Sequence, residues 1–153
     1  MPTTARRGTS AQPTWDHLPA ELRHISQAIH TSRELLALKD EDDLPLFDES
    51  TWTRAATFLA EHALWLFQQR KRVIAAPRIS PGPNASIDLH WEAENYELLI
   101  NIRADPSQPA GSYGDDKGRL NIKGTLDLSA YNEGLLSWLE KGSVRLAKRV
   151  HTR

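Results

Sequence analysis

Cysteine is absent from this sequence of 153 residues. That excludes disulfides, thiolate zinc sites and cysteine nucleophiles, and it fits a reducing, cytoplasmic setting. Net charge is nearly absent too. The 19 basic and 20 acidic side chains leave a formal −1, so no global field steers the chain toward nucleic acid or an anionic membrane. No apolar run approaches the roughly 20 residues that span a bilayer. Arg6 and Arg7 are followed by no apolar stretch, so no signal peptide is expected. The patterns G-x-S-x-G, H-E-x-x-H, G-x-G-x-x-G and the phosphate loop are missing, as is any internal repeat.

What remains has the composition of one soluble globular domain. Residues 1–14 are rich in Thr, Ser, Pro and Ala and read as a disordered tail. Residues 15–150 read as a single α+β domain, and 151–153 as a basic C-terminal end.

The clearest pattern lies at 86–103. Ile87, Leu89 and Trp91 alternate with Asp88 and His90; Tyr96, Leu98, Ile100 and Ile102 alternate with Glu97 and Asn101. Period two on both sides of a polar break predicts a β-hairpin. With a loop at 92–95, Trp91 faces Tyr96, Leu89 faces Leu98 and Ile87 faces Ile100, all on one apolar side. Asn95 suits a left-handed loop position. The opposite, half-solvated side carries Asp88, His90, Glu97, Asn101 and Leu99.

Upstream, Leu18, Leu22, Ile25 and Ile29 predict a helix over about 18–38, with Asp16 as N-cap and Pro19 in its first turn. An acidic loop follows at 39–49, where Leu44, Leu46 and Phe47 would tuck onto the core. A broader apolar stripe, with Trp52, Ala56, Leu59, Ala63 and Leu66, predicts a buried helix from Ser50 or Thr51 to about Val73. Pro77, Pro81 and Pro83 then enforce extended chain. Downstream, strands are expected at 110–114 and along Leu120 to Leu128, with a turn at 115–118 between them. A last helix is expected over 132–150, breaking at Gly142, with Gly134 and Gly142 each weakening it by about 1 kcal/mol. Helices, then strands, then a helix is the segregated pattern. The expected fold is a four-stranded antiparallel meander covered on one face by helices, with an N-terminal helical pair.

Pro77-x-Ile79-x-Pro81, Ser86-Ile87-x-Leu89-x-Trp91 and Leu98-Leu99-Ile100-x-Ile102 together resemble a group of small uncharacterised bacterial proteins that share a Pro-rich entry and such a hairpin. The resemblance covers about residues 52–138, mostly through core positions. It implies a bacterial protein without an enzyme signature and carries over no catalytic or binding residue.

Candidate chemistry is sparse. Tyr113-Gly114-Asp115-Asp116 spells a polymerase hairpin motif, but the chain is too short for a template-binding framework, and a turn explains the same residues. His90-Trp91-Glu92 holds half a zinc-deaminase signature whose other half needs two cysteines; a surface histidine paired with Glu97 explains it better. A metal-dependent phosphodiesterase would use Asp88, Asp115 and Asp116, or Asp88 and Glu97 with Lys123. His17, His24 and His30 lack the i, i+4 spacing of a helical metal site and are expected at the surface.

The leading expectation is therefore a non-enzymatic protein-interaction module without cofactor or metal. It would bind an unknown protein partner through His90, Glu97, Leu99 and Asn101, as the inhibitor or accessory member of a defence or toxin–antitoxin pair. The alternative is a nucleic-acid-binding module that uses Arg70, Lys71, Arg72, Lys141, Arg145, Lys148 and Arg149.

Overall fold

The computed structural model describes residues 13–116 and 121–146. The chain is an α+β fold in which helices cover one face of a five-stranded antiparallel sheet. Helix α1 is Arg23–Ser32 and α2 is Glu49–Arg70. The strands are β1 (Arg72–Val73), β2 (Arg78–Pro81), β3 (Ile87–Ala93), β4 (Tyr96–Ile102), β5 (Ala110–Asp115) and β6 (Asn121–Leu126). Helix α3 (Glu133–Lys141) and β7 (Val144–Arg145) follow. The sheet order is β2-β3-β4-β5-β6, and β1 pairs with β7 in a separate ribbon.

The first helical region is composite. 3₁₀ turns at Ala20–Leu22 and Arg33–Ala37 flank α1. Pro19 precedes the first of them in extended conformation. Asp16 is not an N-cap: it sits in a 3₁₀ turn, Thr14–Asp16, that brings Trp15 into the core, and its carboxylate takes a 2.9 Å hydrogen bond with His30. Thr14 thus belongs to the folded part; residues 1–12 and the basic end at 151–153 lie outside the described residues.

Helix α2 starts where Asp48 accepts from the Thr51 N–H at 2.8 Å. It stops at Arg70, three residues before the expected end, because Lys71 turns left-handed at φ 56°. That turn frees Arg72–Val73 to pair with Val144–Arg145, and the Leu146 N–H closes onto the Lys71 carbonyl at 2.8 Å. Val144 and Arg145 are therefore strand rather than the continued helix expected from sequence. In the acidic loop, Phe47 is buried, whereas Leu44 is 57% exposed instead of tucked in. The Asp40 carboxylate closes that loop into a tight turn by accepting from the Asp42 and Leu44 N–H groups, and the turn leaves Leu44 at its exposed tip.

The sheet has one strand more than expected, because the Pro-rich segment pairs with β3 as an edge strand. Proline is tolerated at such an edge. The hairpin register also differs. Ala93 faces Tyr96, so Trp91 faces Leu98, Leu89 faces Ile100 and Ile87 faces Ile102. Only Glu94 and Asn95 form the turn, and Asn95 is not among the residues at positive φ. A shift of two keeps every side chain on its expected face, so Trp91 and Tyr96 are both buried on the helix side. Asp115 belongs to β5; Lys117 and Gly118 of the expected turn, like Leu120, lie outside the described residues.

Two glycines of the last helix have opposite roles. A Cβ at Gly134 meets only the Asn132 Oδ1 at 3.5 Å, whereas one at Gly142 would fall 2.6 Å from the Tyr96 ring. Gly134→Ala is expected to stabilise the fold by up to about 1 kcal/mol through helix propensity. Gly142→Ala is expected to cost about 1–3 kcal/mol through overpacking. Urea unfolding midpoints of the two variants check the opposite signs.

Candidate functional site

Alternation along each strand sends one set of side chains away from the helices, and the register aligns them in rows across the sheet. The middle row runs Arg78, His90, Leu99, Tyr113, Lys123. A second row runs Ser80, Asp88, Asn101, Gly111, Thr125. In a third, Glu92 faces Glu97 and Glu97 faces Asp115. The four residues expected to bind a partner, His90, Glu97, Leu99 and Asn101, thus share this outer face, and all four are half-buried.

The face is hydrogen-bonded within itself. Arg78 Nη2 lies 3.0 Å from His90 Nδ1, and His90 Nε2 lies 2.6 Å from Glu97 Oε2. Guanidinium only donates, so Nδ1 accepts and the proton sits on Nε2, donated to Glu97. Asn101 donates to Asp88 at 2.7 Å and to Ser86 at 2.8 Å. Arg103 donates to Asn101 at 2.9 Å, and its Nη2 lies 2.8 Å from where a Cβ on Gly111 would be. Tyr113 donates to Asp115 at 3.2 Å; partial burial, then the nearby Asp115 charge, pushes its phenol pKa up.

His90, Glu92 and Glu97 place one donor atom each within 4.8 Å of one another. The sequence reading put Glu92 in the loop and missed this convergence. Two of the three, His90 and Glu97, are nevertheless already joined in a hydrogen-bond chain that starts at Arg78. An ion on Nε2 would need the opposite tautomer, which the Arg78 donor on Nδ1 opposes along with its positive charge. The phosphodiesterase set does not assemble. Register places Asp88 two strands across and four residues along from Asp115, a Cα separation of about 16 Å at standard strand spacing, far beyond the reach of a two-metal site. In Tyr113-Gly114-Asp115-Asp116, Gly114 instead makes room for the Trp138 ring, which would stand 2.9 Å from its Cβ.

The described basic residues gather at one end of the fold, where Arg72 faces Arg145 across the β1–β7 ribbon, but several of them are engaged within the chain. Arg70 pairs with Glu133 and with Glu140, and Arg72 donates to Ser143 at 2.6 Å. These cations fasten α3 to the end of α2. Lys141 lies over the Trp138 ring at 5.2 Å, Lys71 caps α2, and Arg145 is exposed. Lys148 and Arg149 lie outside the described residues.

A cleft of about 670 Å³ runs along α2 beside Arg54, Phe58, Glu61, Pro106 and Leu128. Burial raises the Glu61 pKa, and Arg54 Nη2 is used by the Ala104 carbonyl at 3.1 Å. Of the three N-terminal histidines, His30 is exposed, but His24 is half-buried and bonded to the Ile74 carbonyl at 2.7 Å. Among the described residues, no helix is long and apolar enough to cross a membrane. The chain matches no protein-family model, and no curated protein or solved structure matches it either.

One titratable group escaped the sequence reading. His62 is 1% exposed on α2; its Nδ1 donates to the Phe58 carbonyl at 2.9 Å, and its Nε2 has no partner. Its spacing from Leu59 and Leu66, three back and four on, was the signal that placed it on the core stripe. Burial pulls its pKa down from 6.5 to about 4. The unfolded chain therefore binds this proton before the folded one does, and stability contributed above pH 6.5 is lost as pH falls toward 4. The expected slope is up to about 1.4 kcal/mol per pH unit. Chemical unfolding across that window should show it in the native chain, and His62→Leu should flatten it.

Proposed function

We propose that this protein is a binding module that docks another protein on the outer face of its five-stranded sheet. The observation that carries this reading is the middle row. Leu99 and Tyr113 sit side by side at its centre, each half-buried, and hydrogen-bonding groups surround them: His90 with Glu97 on one flank, Asp88 with Asn101 on the other. An apolar centre inside a polar rim is the usual anatomy of a protein interface. Because Arg78, Glu97, Asp88 and Arg103 already hold their neighbours in place, the surface is preorganised, and docking costs it little ordering entropy.

The partner that fits presents an apolar side chain to Leu99 and Tyr113, ringed by groups that can exchange hydrogen bonds. In this reading the chain acts in the cytoplasm as the inhibitor or accessory member of a two-protein system of the defence or toxin–antitoxin kind. Arg70 and Arg72 bind carboxylates of the same chain, which weighs against a phosphate-binding role for that cluster.

Recovery from the native host tests the proposal. The tagged native chain is expected to bring down a stoichiometric partner. Leu99→Asp should keep the native circular dichroism spectrum and weaken capture about 30-fold or more, as loss of a central anchor does. Val144→Asp, on an exposed side chain away from the sheet, should capture normally. Equal capture by Leu99→Asp would end the proposal.

A further inference from the structure

The two edges of the sheet are not alike. At one, β2 begins after Pro77, ends on Pro81, and has α1 packed against it. Prolines and a covering helix are devices that stop an edge from pairing further. At the other edge, β6 runs Asn121–Leu126 without proline, and Lys123, Gly124 and Thr125 are all exposed. Among the described residues no strand pairs with its outer side, so its outward N–H and C=O groups form an extended template for another strand.

We propose that this edge is occupied by the same strand of a second copy of this chain, pairing antiparallel about a two-fold axis at Thr125. An antiparallel pair of identical strands closes as an isologous dimer. Centred on Thr125, the pairing sets Thr125 against the partner's Thr125, Lys123 against the partner's Asp127, and Gly124 against the partner's Leu126.

Each match has a structural basis. Lys123 lies on the outer side of β6, Asp127, the first residue past the strand, carries the opposite charge, and the two-fold axis makes that pair twice. Ser129 bonds only Oδ1 of Asp127, at 2.9 Å and 2.7 Å, which leaves Oδ2 for the lysine. On the inner side, a Cβ at Gly124 would meet only Ser112 Oγ, at 3.9 Å. Beside it a groove of about 420 Å³ runs between β6 and α3, walled by Leu126, Leu135 and Trp138. The partner's Leu126 would cover this gap, and facing threonines are a favourable cross-strand pair. Neighbouring registers lose these matches: centring on Gly124 sets Lys123 against Thr125, and centring on Lys123 sets two lysines face to face.

The dimer would carry a continuous ten-stranded sheet with two copies of the outer face, whether or not that face binds another protein. Light scattering on the native chain is expected to give the dimer mass. Lys123→Asp and Asp127→Lys should each weaken self-association about tenfold or more, since each makes two like-charge pairs. Mixed in equal amounts, the two variants should form a heterodimer, in which both charge pairs are restored. Should Asp127→Lys unfold through loss of its Ser129 bonds, cysteine substitution gives an independent readout, because the native chain has no thiol. Thr125→Cys should cross-link to itself under mild oxidation, and Lys123→Cys should not, its two copies lying about 13 Å apart along the strands. A monomeric native chain at its highest soluble concentration, an intact Lys123→Asp dimer, or equal cross-linking of the two cysteine variants would overturn the proposal.

Discussion

Helix α2 carries apolar side chains around most of its circumference, and such a helix is stable only when protein covers it from several directions. Trp52, Ala55, Ala56, Phe58, Leu59, Ala60, Ala63 and Leu66 are all buried. Strands β3 and β4 cover one side, α1 and the Trp15 turn another, and α3 a third. The polar atoms taken inside are mostly paired. The Trp52 indole donates to Ser32 at 2.9 Å, and Ser32 in turn donates to the Ile29 carbonyl at 2.6 Å, so α1 and α2 are fixed to each other by a buried hydrogen-bond chain as well as by packing.

That requirement decides which side of the sheet is covered. All the covering layers lie on the inner face of the sheet. Among the described residues, the outer face is therefore the broad surface on which side chains of several strands meet without a helix above them. A single antiparallel layer with one wet face is a stable arrangement, and its wet face is rigid because each strand is held from the side. The His90–Glu97 and Asp88–Asn101 pairs inherit that rigidity.

Much of this was legible in the residues. The alternation of Ile87, Leu89 and Trp91, and of Tyr96 through Ile102, identified the buried face and the outer set His90, Glu97, Leu99 and Asn101. The register escaped because Glu92 and Ala93 give no hydrophobic signal, although both belong to β3. The Pro-rich strand escaped because its prolines argue against a strand everywhere except an edge. The ribbon of β1 and β7 escaped for a different reason: its partners are more than seventy residues apart, and nothing local in Val144-Arg145 marks them as paired. The fate of Arg70 and Arg72 was hidden in the same way, since a run of cations reads identically whether water or Glu140 receives it.

One consequence concerns Gly114 and Trp138. The inner face of β5 is built from Ala110, Ser112 and Gly114, and the indole of α3 occupies the volume that larger strand side chains would fill. Strand and helix thus share one fixed space. A bulkier residue at 114 is therefore admissible only together with a slimmer one at 138, whereas a slimmer residue at 138 alone would leave a void.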